Sequence, residues 1–91
     1  MNNYTYFMKI CKRIIIFQIV TNQTLSNNDI ICKVPDGWGL MYNLQQRWFV
    51  GTYNMGGNIV SRINFTNDHT FTNISLNDIS NLFCSGCYIS E

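Results

Sequence analysis

The pattern between residues 47 and 66 constrains the fold of this chain more than any other feature. Residues 47–53 (RWFVGTY) and 58–66 (NIVSRINFT) are runs of branched and aromatic residues separated by a short glycine-rich turn sequence. In the second run, apolar Ile59, Ile63 and Phe65 alternate with polar residues, which is typical of an antiparallel strand with one face on a core. The segment therefore predicts a β-hairpin.

The rest of the chain shares this preference for strands. There is no alanine and only one glutamate, so strong helix formers are scarce, whereas isoleucine, valine, threonine and the aromatic residues supply 36 of 91 residues. Hydrophobic residues make up 46% of the chain and charged residues 12%, a balance that can build a core. We therefore expect a single compact domain over residues 1–91.

Turn signals divide the chain into short segments. Polar loops and the Pro-Asp-Gly turn at residues 35–37 bound most of the apolar runs. Strands are expected at residues 13–20, 30–34, 39–44, 47–53, 58–66 and 70–74, with residues 4–11 as a further strand or a short helix.

The period changes near the C-terminus. Leu76, Ile79, Leu82 and Phe83 follow each other at helical spacing, and Gly86 stands where a left-handed residue would end a helix. A short helix is expected over residues 76–84. The predicted fold class is thus α+β and mostly β: an antiparallel meander or partial barrel of five to six strands with one short C-terminal helix.

The four cysteines form one tight pair, in the sequence FCSGCY, and two distant single residues. A zinc site would have to combine all four, whereas structural zinc sites usually draw their ligands from two tight pairs. A disulfide remains an alternative in an oxidising compartment. The preferred interpretation is free structural thiols, with no cofactor and no metal. The zinc alternative would use Cys11, Cys32, Cys84 and Cys87.

Nothing in the sequence has the pattern of a catalytic site. His69 is the only histidine, and the five acidic residues are scattered along the chain. A pairing of His69 with Cys84 as base and nucleophile stays open, but a single histidine in a turn is more typical of a solvated side chain. We therefore expect a protein that is not an enzyme.

A cluster of aromatic residues is the better candidate for function. Tryptophan, tyrosine, methionine and arginine are enriched in the cores of protein interfaces, which favours an exposed binding patch in the segment that follows the Pro-Asp-Gly turn. The alternative is that the same rings are core, on a strand packed on both sides. The predicted interaction patch comprises Trp38, Tyr42, Arg47, Trp48, Phe49, Tyr53 and Arg62.

Charge and composition set the expected partners. The formal net charge is +1, without the basic excess typical of proteins that bind nucleic acid, and the apolar run at residues 14–20 is too short to span a membrane. Thirteen asparagines, twelve isoleucines and no alanine are typical of an AT-rich genome such as that of a phage or virus. The main hypothesis is a small cytoplasmic module that binds and modulates a host protein. This hypothesis is compatible with a homo-oligomer. The alternative functions are a structural subunit of a large assembly and a binder of single-stranded nucleic acid.

Overall fold

The computed structural model describes residues 3–41, 44–52, 60–75 and 78–91. These residues form seven strands and contain no helix, so none long and apolar enough to cross a membrane occurs in the described ranges. The strands are β1 (Tyr4–Ile10), β2 (Ile14–Thr21), β3 (Ile30–Lys33), β4 (Gln46–Thr52), β5 (Val60–Thr66), β6 (Thr70–Asn73) and β7 (Leu82–Ile89).

All seven strands belong to one antiparallel sheet in the order β1-β2-β7-β4-β5-β6-β3. The sheet curls into a half-barrel, and its concave inner face holds the core. It curls far enough for the ring of Phe7, on the first strand of the sheet, to lie 5.8 Å from that of Phe71, next to the last strand. The convex outer face has no second layer over it among the described residues.

Aromatic rings fill the middle of the core. Phe65 and Phe71 stack with their centroids 4.0 Å apart, and Phe17 meets Phe49 edge-on at 4.8 Å. Branched side chains surround the rings, and the hydroxyl of Tyr88 donates to the carbonyl of Trp38. The buried core residues are Ile15, Phe17, Ile19, Leu25, Val34, Leu40, Phe49, Ile63, Phe65, Phe71, Ile79, Leu82, Cys84 and Tyr88.

Strand prediction was correct for most of the sheet. The strands predicted at residues 13–20, 30–34, 47–53, 58–66 and 70–74 correspond to β2 to β6 within a few residues. Residues 4–11, for which a strand and a short helix were both open, form the strand β1. The predicted alternation in β5 is confirmed where the structure describes it, since Ile63 and Phe65 are fully buried while Arg62 is exposed. The predicted turn at residues 54–58 and Ile59 lie outside the described residues.

The predicted C-terminal helix is wrong for the described part of its range, residues 78–84, and residues 76 and 77 lie outside the described residues. Residues 82–89 form strand β7, in which Leu82, Cys84 and Tyr88 face inward and alternate with exposed residues. β7 pairs with β2 along its whole length and with β4 at two residues, so it completes the hydrogen bonding of both neighbours. This long-range pairing outweighs the weak helical propensity of a serine-, asparagine- and cysteine-rich segment.

Of the two predicted arrangements, an antiparallel meander or a partial barrel, the half-barrel confirms the second, with seven strands in the described residues instead of five to six. The meander is wrong, because β7 lies between β2 and β4 and β3 lies beyond β6. Of the range 39–44, the described residues 39–41 and 44 do not pair with β4, whose partners are β5 and β7. Within that range the structure shows only an isolated bridge between Leu40 and Ser90, and Tyr42 and Asn43 lie outside the described residues.

Candidate interaction surface

The structure separates the residues of the predicted aromatic patch. Phe49 points inward and is buried in the core, where it contributes no exposed surface. Trp38 is half-buried after β3, with the ammonium of Lys9 lying 4.8 Å from its ring centre. Tyr42 and Tyr53 lie outside the described residues.

Two members of that patch share the outer face of β4 and β5. Trp48 is 47% exposed, and Arg62 is exposed opposite Val50 on the neighbouring strand. Arg47 belongs to the other side of β4, where its guanidinium lies 5.2 Å from the ring of Phe49. It lies at the opening where β4 separates from β7, and there it lines a groove together with Ile14 and Ile89.

A larger apolar surface lies on the outer face of β1, β2 and β7. Strand register places Met8 beside Ile16 and Ile10 beside Ile14, and Ile14 in turn beside Ile89. The side chains are 38% to 52% exposed. We call this surface the outer apolar patch, and it consists of Tyr6, Met8, Ile10, Ile14, Ile16 and Ile89.

The size of the outer apolar patch distinguishes it from scattered surface hydrophobics. Six large side chains, each 38% to 52% exposed, lie next to one another across three paired strands. Contiguous exposed apolar surface often marks an interaction site, whereas single exposed hydrophobic residues are normal on any protein. The surface can therefore contact an apolar partner across all three strands.

The residues around the patch carry positive charge. Lys12 and Arg13 lie in the turn between β1 and β2, next to Ile10 and Ile14, and Arg47 lines the adjoining groove. The Nε of Arg13 donates to the carbonyl of Ser90, which fixes the side chain beside the end of β7. A partner with an apolar centre and acidic residues around it would match this arrangement.

The sequence contained a signal for this patch. Residues 14–17 (IIIF) place apolar side chains on both faces of β2, because successive side chains of a strand point to opposite faces. Such a run is usually a strand that is covered on both sides. Here no described element covers the outer face, so its apolar residues are left exposed.

The four cysteines are not brought together. Cys84 and Cys87 are three residues apart on a strand, so they point to opposite faces, and the structure places Cys84 in the core and Cys87 outside. Cys11 is exposed in the β1–β2 turn and Cys32 is half-buried on β3. The described part of the chain has no group of three histidine, cysteine or acidic residues able to hold a metal ion.

The two inward thiols are in environments that disfavour the thiolate. Burial raises the pKa of Cys32 to about 12, with a smaller contribution from Cys84. Burial alone raises the pKa of Cys84 to about 11. Both side chains therefore remain neutral thiols at ordinary pH, which suits packing rather than nucleophilic attack.

His69 lies in the turn between β5 and β6 and faces two carboxylates. Its Nε2 is 2.9 Å from Oε1 of Glu91 and 3.9 Å from Oδ1 of Asp36. The same Glu91 oxygen accepts the N–H of Gly37 at 2.9 Å. The hydrogen bond with His69, followed by that with Gly37, holds the pKa of Glu91 below its usual range. These contacts fasten the segment after β3 and the end of the chain to the β5–β6 turn.

No protein-family model matches the chain, and no curated protein matches it either. The surface itself is an uncovered apolar sheet face with basic residues beside it.

Proposed function

We propose that this protein is a non-catalytic protein-binding module and that the outer apolar patch is its contact surface. The observation that carries the proposal is the contiguous exposure of apolar side chains across three paired strands. Burying them against a partner would gain roughly 25 cal/mol for each Å² of apolar surface removed from water. A core of apolar residues inside a polar rim is the usual anatomy of a protein interface.

The basic residues next to the patch narrow the partner. Lys12, Arg13 and Arg47 supply positive charge beside the apolar residues, so an acidic rim on the partner would steer association and set its orientation. In its most specific form, the proposal is a phage- or virus-encoded protein that modulates or inhibits a host protein in the cytoplasm. The support for that form is compositional, in the thirteen asparagines and the absence of alanine.

The test replaces two residues of the patch without changing the preference of the backbone for a strand. Ile16→Thr combined with Ile89→Thr keeps a β-branched residue at each position but removes apolar surface. Affinity-purification mass spectrometry from host lysate would compare this variant with the unmodified protein. We expect recovery of the specific partner to fall about tenfold or more, because an energetically important interface residue costs more than about 1 kcal/mol when truncated and about 1.4 kcal/mol is a tenfold change in affinity.

A matched control is available on another part of the same face. Val50 is more exposed than any residue of the patch, so Val50→Thr makes the same kind of change on β4. The control should retain the partner, and urea unfolding should show that all variants are folded. If every protein recovered by the unmodified chain is recovered equally well by the double variant, the patch is not the binding surface.

A further inference from the structure

The two terminal strands of the sheet, β1 and β3, border an open cleft. Every neighbouring pair in the sheet is antiparallel, so strands at odd places in the order run in one direction and those at even places in the other. β1 and β3 occupy the first and seventh places and therefore run in the same direction. One more strand between them would run antiparallel to both and would complete an eight-stranded barrel with alternating directions.

Backbone groups of β1 point into this cleft. The N–H of Ser90 donates to the carbonyl of Arg13 at 2.7 Å, so Arg13 and every second residue after it on β2 direct their backbone groups toward β7. The residues of β2 between them bond to β1, where their partners are Tyr4, Tyr6, Met8 and Ile10. The N–H and C=O groups of the residues between them, Thr5, Phe7 and Lys9, are directed to the free edge.

β3 presents a shorter edge. The N–H of Val34 donates to the carbonyl of His69 at 2.9 Å, so Val34 faces β6. The preceding residue, Lys33, consequently directs its own N–H and C=O away from β6 and toward the cleft, while the pairing of β3 with β6 is irregular between Ile30 and Cys32. An added strand would therefore take most of its backbone hydrogen bonds from β1 and one pair from Lys33 on β3.

The cleft has room for an extended peptide. Two grooves of about 280 and 310 Å³ meet at Thr5, which lines both of them, and each groove is lined by residues of both β1 and β3. Phe7, Val34 and Trp38 form an apolar surface in the second groove. The far end is closed where Nζ of Lys9 donates to the carbonyl of Gly37 at 2.7 Å. From Asn3 to Phe7 the open length corresponds to about five residues of strand.

The charge of the cleft specifies the chemistry of its ligand. Among the residues that line the two grooves, Lys33 is the charged one, and no aspartate or glutamate is present. The ammonium of Lys9 lies at the closed end beside Trp38. An acidic residue on the added strand would therefore be favoured, and a basic one disfavoured.

We propose that this cleft binds an extended segment of another protein as an eighth strand. The segment is antiparallel to β1 and β3, has apolar side chains at alternate positions over Phe7, Val34 and Trp38, and carries an acidic residue near Lys33. This site lies at the sheet edges and is separate from the outer apolar patch, so either proposal can fail without the other.

The experiment uses seven-residue synthetic peptides as probes. They alternate valine or isoleucine with threonine, and one threonine is replaced in turn by aspartate or by lysine. Amide hydrogen exchange followed by NMR is the measurement. We expect an aspartate peptide to slow exchange of the Thr5, Phe7 and Lys33 amides at least about tenfold, because these groups become hydrogen-bonded. Exchange of Tyr6 and Met8, already bonded to β2, should change little.

Two pairs of variants test the mode of binding. Thr5→Pro removes a cleft-facing N–H but keeps the hydrogen bonds between β1 and β2, and it should lower the affinity for the peptide about fivefold or more. The control Thr5→Val keeps the N–H and should bind the peptide as the unmodified protein does. Lys33→Glu should make the protein bind the lysine peptide more tightly than the aspartate peptide. Lys12→Glu, which changes the net charge by the same amount, should leave the preference for the aspartate peptide unchanged. The patch variant with Ile16→Thr and Ile89→Thr should bind peptide normally.

Three results would overturn the proposal. The first is that no peptide of the panel slows exchange at the cleft. The second is that a peptide binds but Thr5→Pro and Lys33→Glu leave its affinity unchanged. The third is that the cleft amides become protected without peptide as protein concentration rises, because the occupant would then be a second copy of this chain.

Discussion

Asn73 connects two parts of the chain through one side chain. It is fully buried on β6, where its amide nitrogen donates to the carbonyl of Ser26 at 3.0 Å and its amide oxygen accepts from the hydroxyl of Ser61 at 3.3 Å. The loop before β3 is thereby held against the sheet. An unpaired buried polar group costs roughly 1–3 kcal/mol, so the loop position that pairs the side chain of Asn73 is favoured over positions that leave it unpaired.

Glu91 is one of two carboxylates whose pKa is lowered in the folded protein, the other being Asp68. Its pKa is lowered by the hydrogen bonds with His69 and Gly37, so the folded protein takes up a proton on this carboxylate less readily than the unfolded chain does. The resulting stabilisation is fully present above the ordinary pKa of about 4.5 and is lost as pH falls through the lowered folded-state value. Urea unfolding across the acid range would measure the loss.

Substitution separates this contribution from that of other acidic groups. Glu91→Gln should make the unfolding free energy fall less between pH 6 and acid pH than it does in the unmodified protein. Part of the decrease should persist, because hydrogen bonding from Thr66 also lowers the pKa of Asp68. An acid-side loss in Glu91→Gln equal to that of the unmodified protein would contradict the assignment.

Among the elements, β7 depends most on its surroundings. It supplies Leu82, Cys84 and Tyr88 to the core and lies between β2 and β4. Gly86 belongs to its inner face, and a Cβ there would lie 2.9 Å from Cδ1 of Phe49 and 3.2 Å from Cε1 of Phe17. The glycine is therefore required by close ring packing in a strand, and not by the left-handed conformation expected at the end of a helix.

Gly86→Ala should accordingly destabilise the protein by about 1–3 kcal/mol, the usual cost of overpacking a core. The rings it would strike are packed against other rings and cannot move away freely. Urea unfolding provides the measurement, and Ser85→Ala, at the exposed position next along β7, is the control. An unchanged unfolding midpoint for Gly86→Ala would show that Phe49 and Phe17 can shift at little cost.

The whole molecule is assembled by contacts between distant parts of the chain. The strand formed last in sequence is inserted between β2 and β4, and the strands that begin and end the sheet, β1 and β3, both come from the first half of the chain. Such an arrangement is typical of slow folding, because long loops must close before the strands can pair. Folding of this chain should therefore require the C-terminal strand.

Deletion of residues 82–91 tests that dependence. We expect the truncated chain to lose cooperative thermal unfolding, because β2 and β4 lose their shared neighbour and the core loses three side chains. Near-ultraviolet circular dichroism during heating measures the transition. Phe83→Ser with Ile89→Ser, which changes only outward residues of β7, should unfold cooperatively. A sharp transition in the truncated chain would show that the remaining strands form a core alone.

The sequence by itself determined the segments of β2 to β6 and which side of β5 faces the core. Those properties depend on side-chain branching and on alternation within a few residues, as Ile63 and Phe65 show. The interaction surface was harder to predict from the sequence, since Trp48 and Phe49 are adjacent but Trp48 is half-exposed and Phe49 is buried.

Only the tertiary structure decided the state of β7, the order of the strands and the location of the exposed apolar surface. The segment LFCSGCYI has only a weak local preference for helix or strand, so it takes the conformation that its neighbours stabilise. Here β2 and β4 form hydrogen bonds with its two edges. The apolar residues on both faces of β2 do not reveal which face remains uncovered. That depends on which other elements pack there, and free energies of such long-range packing are not encoded in any short stretch of the chain.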